Sequence, residues 1–527
     1  MKPITLIKNA RIYPACIRGQ TYDCLVISDS EILDAGDASL ESEWESHADH
    51  IFDLRGHTIL PGLTDAHIHL EKYAHSLSQI DCETTSLDIC LEHVADAARH
   101  ALPGEWIRGH GWDQNAWGRY GTLEELTAAA PENPVYLTAK SLHAAWVNLA
   151  ALALCDVDDH DNVSTSDRVG HDSDGKLNGL LFEDAMKLVS EKIPRPGAEQ
   201  TRKSISRAQE RLLGYGITSV HDYDGSRCFS ALQELHRAGE LHIRVTKNIQ
   251  KDQFQSAIDL GMQSGFGGDW LRIGHLKLFT DGALGPQTAA MLAPYESQPE
   301  NNGILLLSQD EIIEIGRSAS TAGFPLTIHA IGDRACRTVI DALHSLQEEI
   351  PAPAVPHRIE HLQIVHPADL ENLSGANITI SMQPLHAPSD HLTADRYWGE
   401  RTRWAYAWRS VQSTDSLLIF GSDAPVETPD PWLGLYAALT RKLASEDPET
   451  PTWVPEECLD LQTALEAYSV NPPIAVGCGD HFGRLEKGYQ ADLIVLDQDP
   501  YEIAHAAIPS LNVLGAMTGG IWRHLDD

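Results

Sequence analysis

Eight short runs rich in β-branched and aliphatic residues occur between residues 58 and 425, and amphipathic helical windows separate several of them. The runs are TILPGLTDAHIH, GITSVHDYD, HIRVTKNI, RIGHLKLFTDG, PLTIHAIGD, HRIEHLQIV, NITISMQP and SLLIFGSDAP. Helical spacing is clearest over 309–322 and 334–349. Strands alternating with helices build a parallel sheet. Eight such units are the number that closes a (β/α)8 TIM barrel, which is the expected α/β fold.

The chain ends follow another pattern. ITLIKNARIY, CLVISDSEILDAG and HIFDLRGHTILPG at the start, with HFGRLEKGYQADLIVLDQDP and NVLGAMTGGIWRH at the end, read as short strands broken by turn residues. The expectation is a β-sandwich built from both ends, 1–57 and 479–527, around a barrel over 58–478. A stretch over about 71–205 is far too long for an ordinary strand-to-helix connection and reads as an inserted subdomain. Its Asp/His/Ser-rich run 156–175 has the composition of a calcium loop without the spacing of one, and reads as a solvated loop.

Charge narrows the partners. With 39 Lys and Arg against 76 Asp and Glu, the net charge of -37 repels nucleic-acid phosphate and anionic membrane, leaving a small-molecule substrate. The nine cysteines form no C-x-x-C pair, so neither a zinc ribbon nor a disulfide framework is indicated, and a reducing cytoplasm fits. MKPITLIKNARIYP has no continuous apolar segment and reads as a strand, not a signal peptide. A homodimer is the commonest assembly for such a chain.

Polar residues recur at the strand ends. His67 and His69 are two apart, so a strand directs both imidazoles to one side. Lys277, His329, His361 and Asp423 close four later strands. In a parallel barrel these ends share the face that carries the active site. Alone, each has an ordinary reading: a capping Asp, a core-edge His, a lysine reaching to solvent. Together they are the right donors for divalent metal, one ion or two, with zinc favoured.

The ordered set LPGLTDAHIHL, KLFTDGALG, HAIGDRA, HRIEHLQ, GSDAPVE and GYQADLIVLD resembles the amidohydrolase superfamily, in particular the YtcJ-like branch that includes N-substituted formamide deformylases. The resemblance runs through nearly the whole chain, including GHGWDQ and HAAWVN in the insertion. It implies that His67, His69 and Asp423 hold one metal, that His329 and His361 hold a second, and that Lys277 bridges both as an N6-carboxylated lysine. The alternative for Lys277 is a plain ammonium paired with Asp281. The implied activity is hydrolysis of a non-peptide C–N bond, amide or N-formyl, in a small organic molecule. Metals lower the pKa of bound water and polarise a carbonyl, while Asp423 takes up the proton and delivers it to the leaving nitrogen. Cyclic amide, ester or lactone hydrolysis would use the same site, and a non-catalytic binding or regulatory relative is the remaining alternative.

Trp112, Asp113, His143, Asp281, Gln383 and His386 are the candidate substrate-binding residues, each with a structural alternative; Trp112 could be core of the insertion. Ser422 reads as structural, and Gly332 and Asp333 as turn-shaping. Glu360 is expected to point away from His361 and is given no role.

Overall fold

The computed structural model describes residues 2–139, 144–157, 168–194, 196–296, 298–351, 353–374 and 377–525. Eight strands form one sheet: β1 (Leu63–Ile68), β2 (Ile217–Asp222), β3 (Arg244–Gln250), β4 (Leu271–Phe279), β5 (Leu326–Ala330), β6 (His357–His361), β7 (Ile378–Met382) and β8 (Leu417–Phe420). They lie in chain order and every neighbouring pair is parallel. Such strands are covered on both faces, so their sequences run apolar without alternation; β1, β6 and β7 are buried throughout.

The sheet is nearly closed into a barrel. Just past β8, the Asp423 N–H donates to His67 O at 2.7 Å, and the His69 N–H donates to Ala424 O at 2.9 Å. Gly421 allows this approach, because a Cβ there would lie 2.4 Å from His67 N. Helices pack outside the sheet where the 3.6-residue spacing indicated them, at Gln309–Thr321 and Asp333–Glu349. The first begins with a reciprocal cap between Ser308 and Glu311. The second buries Ala335, Val339, Leu343 and Leu346, one stripe of its surface.

The chain ends supply two further sheets. One holds Ile4–Lys8, Cys24–Ser28, Glu31–Gly36 and His50–Asp53. The other joins both ends of the chain, pairing Thr58–Pro61 with Leu493–Leu496 and adding Arg11–Ile12, Val513–Thr518 and Ile521–Leu525. Ile7, Leu25 and Ile27 of the first share a core with Ile12, Ile59 and Val495 of the second.

The chain divides into two compact units, Met1–Tyr73 with Ile205–Asp527, and Ala74–Ser204. The second is built on a six-stranded sheet whose core includes Cys82, Cys90, Trp112, Leu137 and Trp146. Residues 158–167, half of the calcium-like run, lie outside the described residues, as does His143. All nine cysteines are unpaired. Among the described residues no helix is long and apolar enough to cross a membrane.

Candidate metal centre

Four imidazoles meet at the C-terminal end of the barrel, and in each one ring nitrogen is already engaged by an oxygen. His67 Nδ1 donates to Glu360 Oε2 at 2.6 Å, and His69 Nδ1 to Asp224 Oδ1 at 3.1 Å. His361 Nδ1 donates to Gln383 Oε1 at 2.8 Å, and His329 Nε2 to the Gly282 carbonyl at 3.0 Å. A neutral imidazole carries one proton, so the opposite nitrogen keeps a bare lone pair. Nε2 is left on His67, His69 and His361, and Nδ1 on His329.

The rings are close. Centroids are 4.9 Å apart for His67 and His361, 4.6 Å for His329 and His361, and 6.0 Å for His67 and His69. Asp423 Oδ1 lies 3.6 Å from His67 Nε2 and 3.5 Å from His69 Nε2. One ligand atom each from His67, His361 and Asp423 falls within 4.8 Å of the others. Burial disfavours the imidazolium, lowering His67 to about 4, His329 to about 3 and His361 well below its ordinary value. Burial also opposes charge on Asp423, but the His67 and His69 imidazoles outweigh it and hold the carboxyl below its usual range.

Lys277 is 2 % exposed, and its Nζ stands 4.7 Å from the Tyr223 ring centroid; the same ring stacks on His67 at 3.9 Å. Among the described residues no carboxylate pairs with that Nζ. Burial lowers Lys277 to about 8, against the pull of Glu360 and Asp423. Asp281 is not its partner. That carboxylate accepts backbone N–H groups of Ala290, Ile331 and Gly332 at 2.9, 3.1 and 2.8 Å, so it organises the loops beside His329 and has little left to offer a substrate.

Two carboxylates escaped the sequence reading. Glu360 points into the barrel, not away from it: besides His67 it accepts Tyr223 OH at 2.9 Å and Thr327 Oγ1 at 2.6 Å, with Arg358 Nε at 2.9 Å. Burial opposes its charge, but Arg358 and His67 hold it well below the ordinary carboxylate value. His361 nevertheless reaches the same space because the last residue of β6 and the one after it are left-handed, His361 at φ 75° and Leu362 at φ 43°. Such residues cost on the order of 1–3 kcal/mol and persist where their surroundings impose them. Asp224, following β2, fixes His69 and also accepts the Glu71 and Lys72 N–H groups. A signal for Glu360 was available: Arg358 and Glu360 are two apart on one strand and share a face.

Other candidates have different roles. Trp112 is 2 % exposed, donates its indole N–H to Leu137 O at 2.9 Å and belongs to the core of the second unit. Asp113 lies beside it and accepts the Trp117 N–H on its carbonyl. Gln383 orients His361. The His386 ring lies parallel to His361 at 6.3 Å; its Nδ1 accepts Gln363 Nε2 at 3.3 Å, and its buried Nε2 has no partner among the described residues. Ser422 is structural as expected, donating its hydroxyl to Asp65 Oδ2 at 2.5 Å. Asp333 likewise accepts the Leu292 N–H at 2.8 Å.

The donor chemistry fits divalent metal. Bare, neutral imidazole nitrogens whose far sides are pinned by oxygen acceptors, grouped about a charged carboxylate, are the arrangement such an ion requires. A second acidic group, Asp222, Asp224 and Cys228, is already committed: Asp222 pairs with Lys247 at 2.9 Å and Asp224 with His69.

A family model described as amidohydrolase family matches residues 50–520. YtcJ of Bacillus subtilis (strain 168) is 27% identical, covering 97% of this chain and 97% of that protein. N-substituted formamide deformylase of Arthrobacter pascens is 27% identical, covering 98% of each. Among solved structures, an uncharacterized metal-dependent hydrolase from Pyrococcus furiosus superposes with a TM-score of 0.78 at 30% identity, covering 95% of this chain and 100% of that one. With barrel, donor set and full-length match in agreement, the chain belongs to the amidohydrolase family.

Proposed function

We propose that this protein is a zinc-dependent hydrolase of a non-peptide C–N bond, amide or N-formyl, in a small organic molecule. The observation that carries the reading is the set of four imidazoles whose outer nitrogens are held by Glu360, Asp224, Gly282 O and Gln383, leaving their inner nitrogens bare beside Asp423. His67, His69 and Asp423 would hold one ion, and His329 with His361 a second. When bound, such ions lower the pKa of water and polarise the carbonyl under attack.

The remaining work belongs to the side chains. Asp423 is charged at neutral pH, and its oxygen turned away from the two imidazoles is free to take the proton of the attacking water. The same oxygen then gives that proton to the leaving nitrogen, which departs as an amine. Lys277 is buried beside this group without an anionic partner among the described residues, and its lowered pKa supplies free amine. That amine attacks CO2, forming an N–C bond and losing a proton, and the resulting carbamate offers two oxygens where an ammonium offers none. His386 Nε2, a buried donor without an acceptor, is placed to orient the substrate oxygen. Phe279, 45% exposed and 5.3 Å from the His329 ring, offers an apolar surface to an N-substituent.

Similarity to a formamide deformylase over the full length supports the choice of bond. A panel of N-substituted formamides, acetamides, hydantoins and lactones, assayed with the zinc-loaded protein, tests it. The expected result is turnover of open-chain amides, formamides foremost. Turnover confined to lactones or hydantoins would replace the bond assignment.

A further inference from the structure

A cavity open to solvent lies at the opposite end of the barrel, among the starts of β1 to β4 and residues 469–492. Its wall carries polar groups that the protein does not satisfy. Thr64 and Thr246 are 2% and 5% exposed, and neither hydroxyl has a hydrogen-bond partner among the described residues. His221, 1% exposed, receives an Arg358 Nη1–H on Nδ1 at 2.9 Å. A guanidinium only donates, so the His221 proton is on Nε2, and that N–H has no acceptor among the described residues.

Charge points the same way. Two arginines line the cavity. Arg244 is neutralised by Asp492, with Nη2 at 2.8 Å from Oδ1. Arg272 forms no ion pair or hydrogen bond through its side chain among the described residues, in a chain with 76 acidic residues against 39 basic. Asp269 at the rim is exposed; its main-chain carbonyl accepts an Arg244 Nη1–H at 3.1 Å, and its carboxylate forms no ion pair with Arg272 among the described residues. The interior therefore presents a guanidinium and an imidazole N–H, which only donate, and hydroxyls that can do so. Thr218, Ser219 and Ser469 add further hydroxyls to the wall, and Val245, Val476 and Phe482 give it an apolar part. An occupant must combine acceptor oxygens and negative charge with a hydrocarbon body.

We infer that this cavity binds a small carboxylate, its oxygens on the Arg272 guanidinium and His221 Nε2 and its hydrocarbon part against Val245, Val476 and Phe482. The site does not depend on the reaction proposed above. It is nonetheless linked to the metal centre, because Arg358, which donates to His221, also lies 2.9 Å from Glu360, the partner of His67.

The test pairs diffraction with calorimetry on the full, zinc-loaded chain. Crystals soaked in 4-bromobenzoate are expected to show bromine anomalous density in the cavity, with the carboxylate on Arg272. In solution, Arg272→Gln is expected to weaken one benzoate-binding step at least tenfold, and Thr246→Val by a smaller factor. Bromine found only at the metal centre or nowhere, an unchanged isotherm in Arg272→Gln, or inorganic phosphate binding more tightly than benzoate would each overturn the assignment. Density in the soaked crystal without a matching isotherm would mark binding at crystal concentration only, and would overturn it too. Wild-type diffraction and the wild-type isotherm together decide the matter even if Arg272→Gln does not fold.

Discussion

Glu360 Oε2 sits 2.6 Å from His67 Nδ1, deep in the barrel, while Arg358 Nε lies 2.9 Å from the other carboxylate oxygen. This contact fixes which His67 nitrogen carries the proton and aims the other at Asp423. Outer partners of this kind typically contribute 10–100-fold to metal affinity. Glu360→Gln keeps the shape and removes the charge. It is expected to weaken zinc binding by about that factor, measured by competition with a chromophoric chelator, while the circular dichroism spectrum is retained. Unchanged affinity would show that Glu360 serves the barrel interior alone.

Asp423→Asn separates proton transfer from metal holding. Its amide can still face the imidazoles but accepts no proton. Turnover is expected to fall by at least ~10²-fold, the scale of general acid–base catalysis, while zinc content falls by a smaller factor. Equal losses in the two measurements would reduce Asp423 to a ligand.

For Lys277, the expected outcome concerns carbon dioxide. Protein stripped of metal at low pH and reloaded with zinc in CO2-free buffer should recover little activity until bicarbonate is added. Intact-mass spectrometry under native conditions should show the gain of one CO2, absent in Lys277→Met. Full recovery without bicarbonate would leave Lys277 as a free amine.

Buried histidines away from the metal centre set a pH limit on stability. Burial lowers His275 to about 3 and His357 to about 4. In the unfolded chain both take up protons near pH 6.5, the ordinary imidazole value. Between about pH 6.5 and 4 the unfolded state therefore binds more protons, and stability falls as pH falls through that window. The loss at pH 4 is on the order of a few kcal/mol. Urea unfolding at pH 7.5 and 4.5 checks this; an equal midpoint at both would show that these rings are not held neutral.

What could be read from the sequence tracks how local the determinants are. Strand alternation placed His67 and His69 on one side, and the parallel-barrel rule placed Lys277, His329, His361 and Asp423 at strand ends, because both follow from backbone geometry common to all residues. Glu360 failed the same rule for a specific reason. His361 and Leu362 adopt positive φ without being glycine, so alternation breaks at the position where it was applied. Asp224 was missed because its partner lies 155 positions away and nothing in HDYDG marks it. Loop residues fared worst. Asp281 and Gln383 look like ligand-binding groups in sequence, yet their oxygens serve backbone amides and His361. Trp112 looks like a recognition aromatic, yet it fills the second core.

Anomalous diffraction at the zinc edge, from crystals of the zinc-loaded protein, addresses the convergence of the six donors most directly. Density is expected between His67 Nε2, His69 Nε2 and Asp423, with any further peak beside His329 Nδ1 and His361 Nε2. A fully loaded crystal whose zinc lay elsewhere, with those five side chains unligated, would contradict the metal centre and the hydrolase built on it.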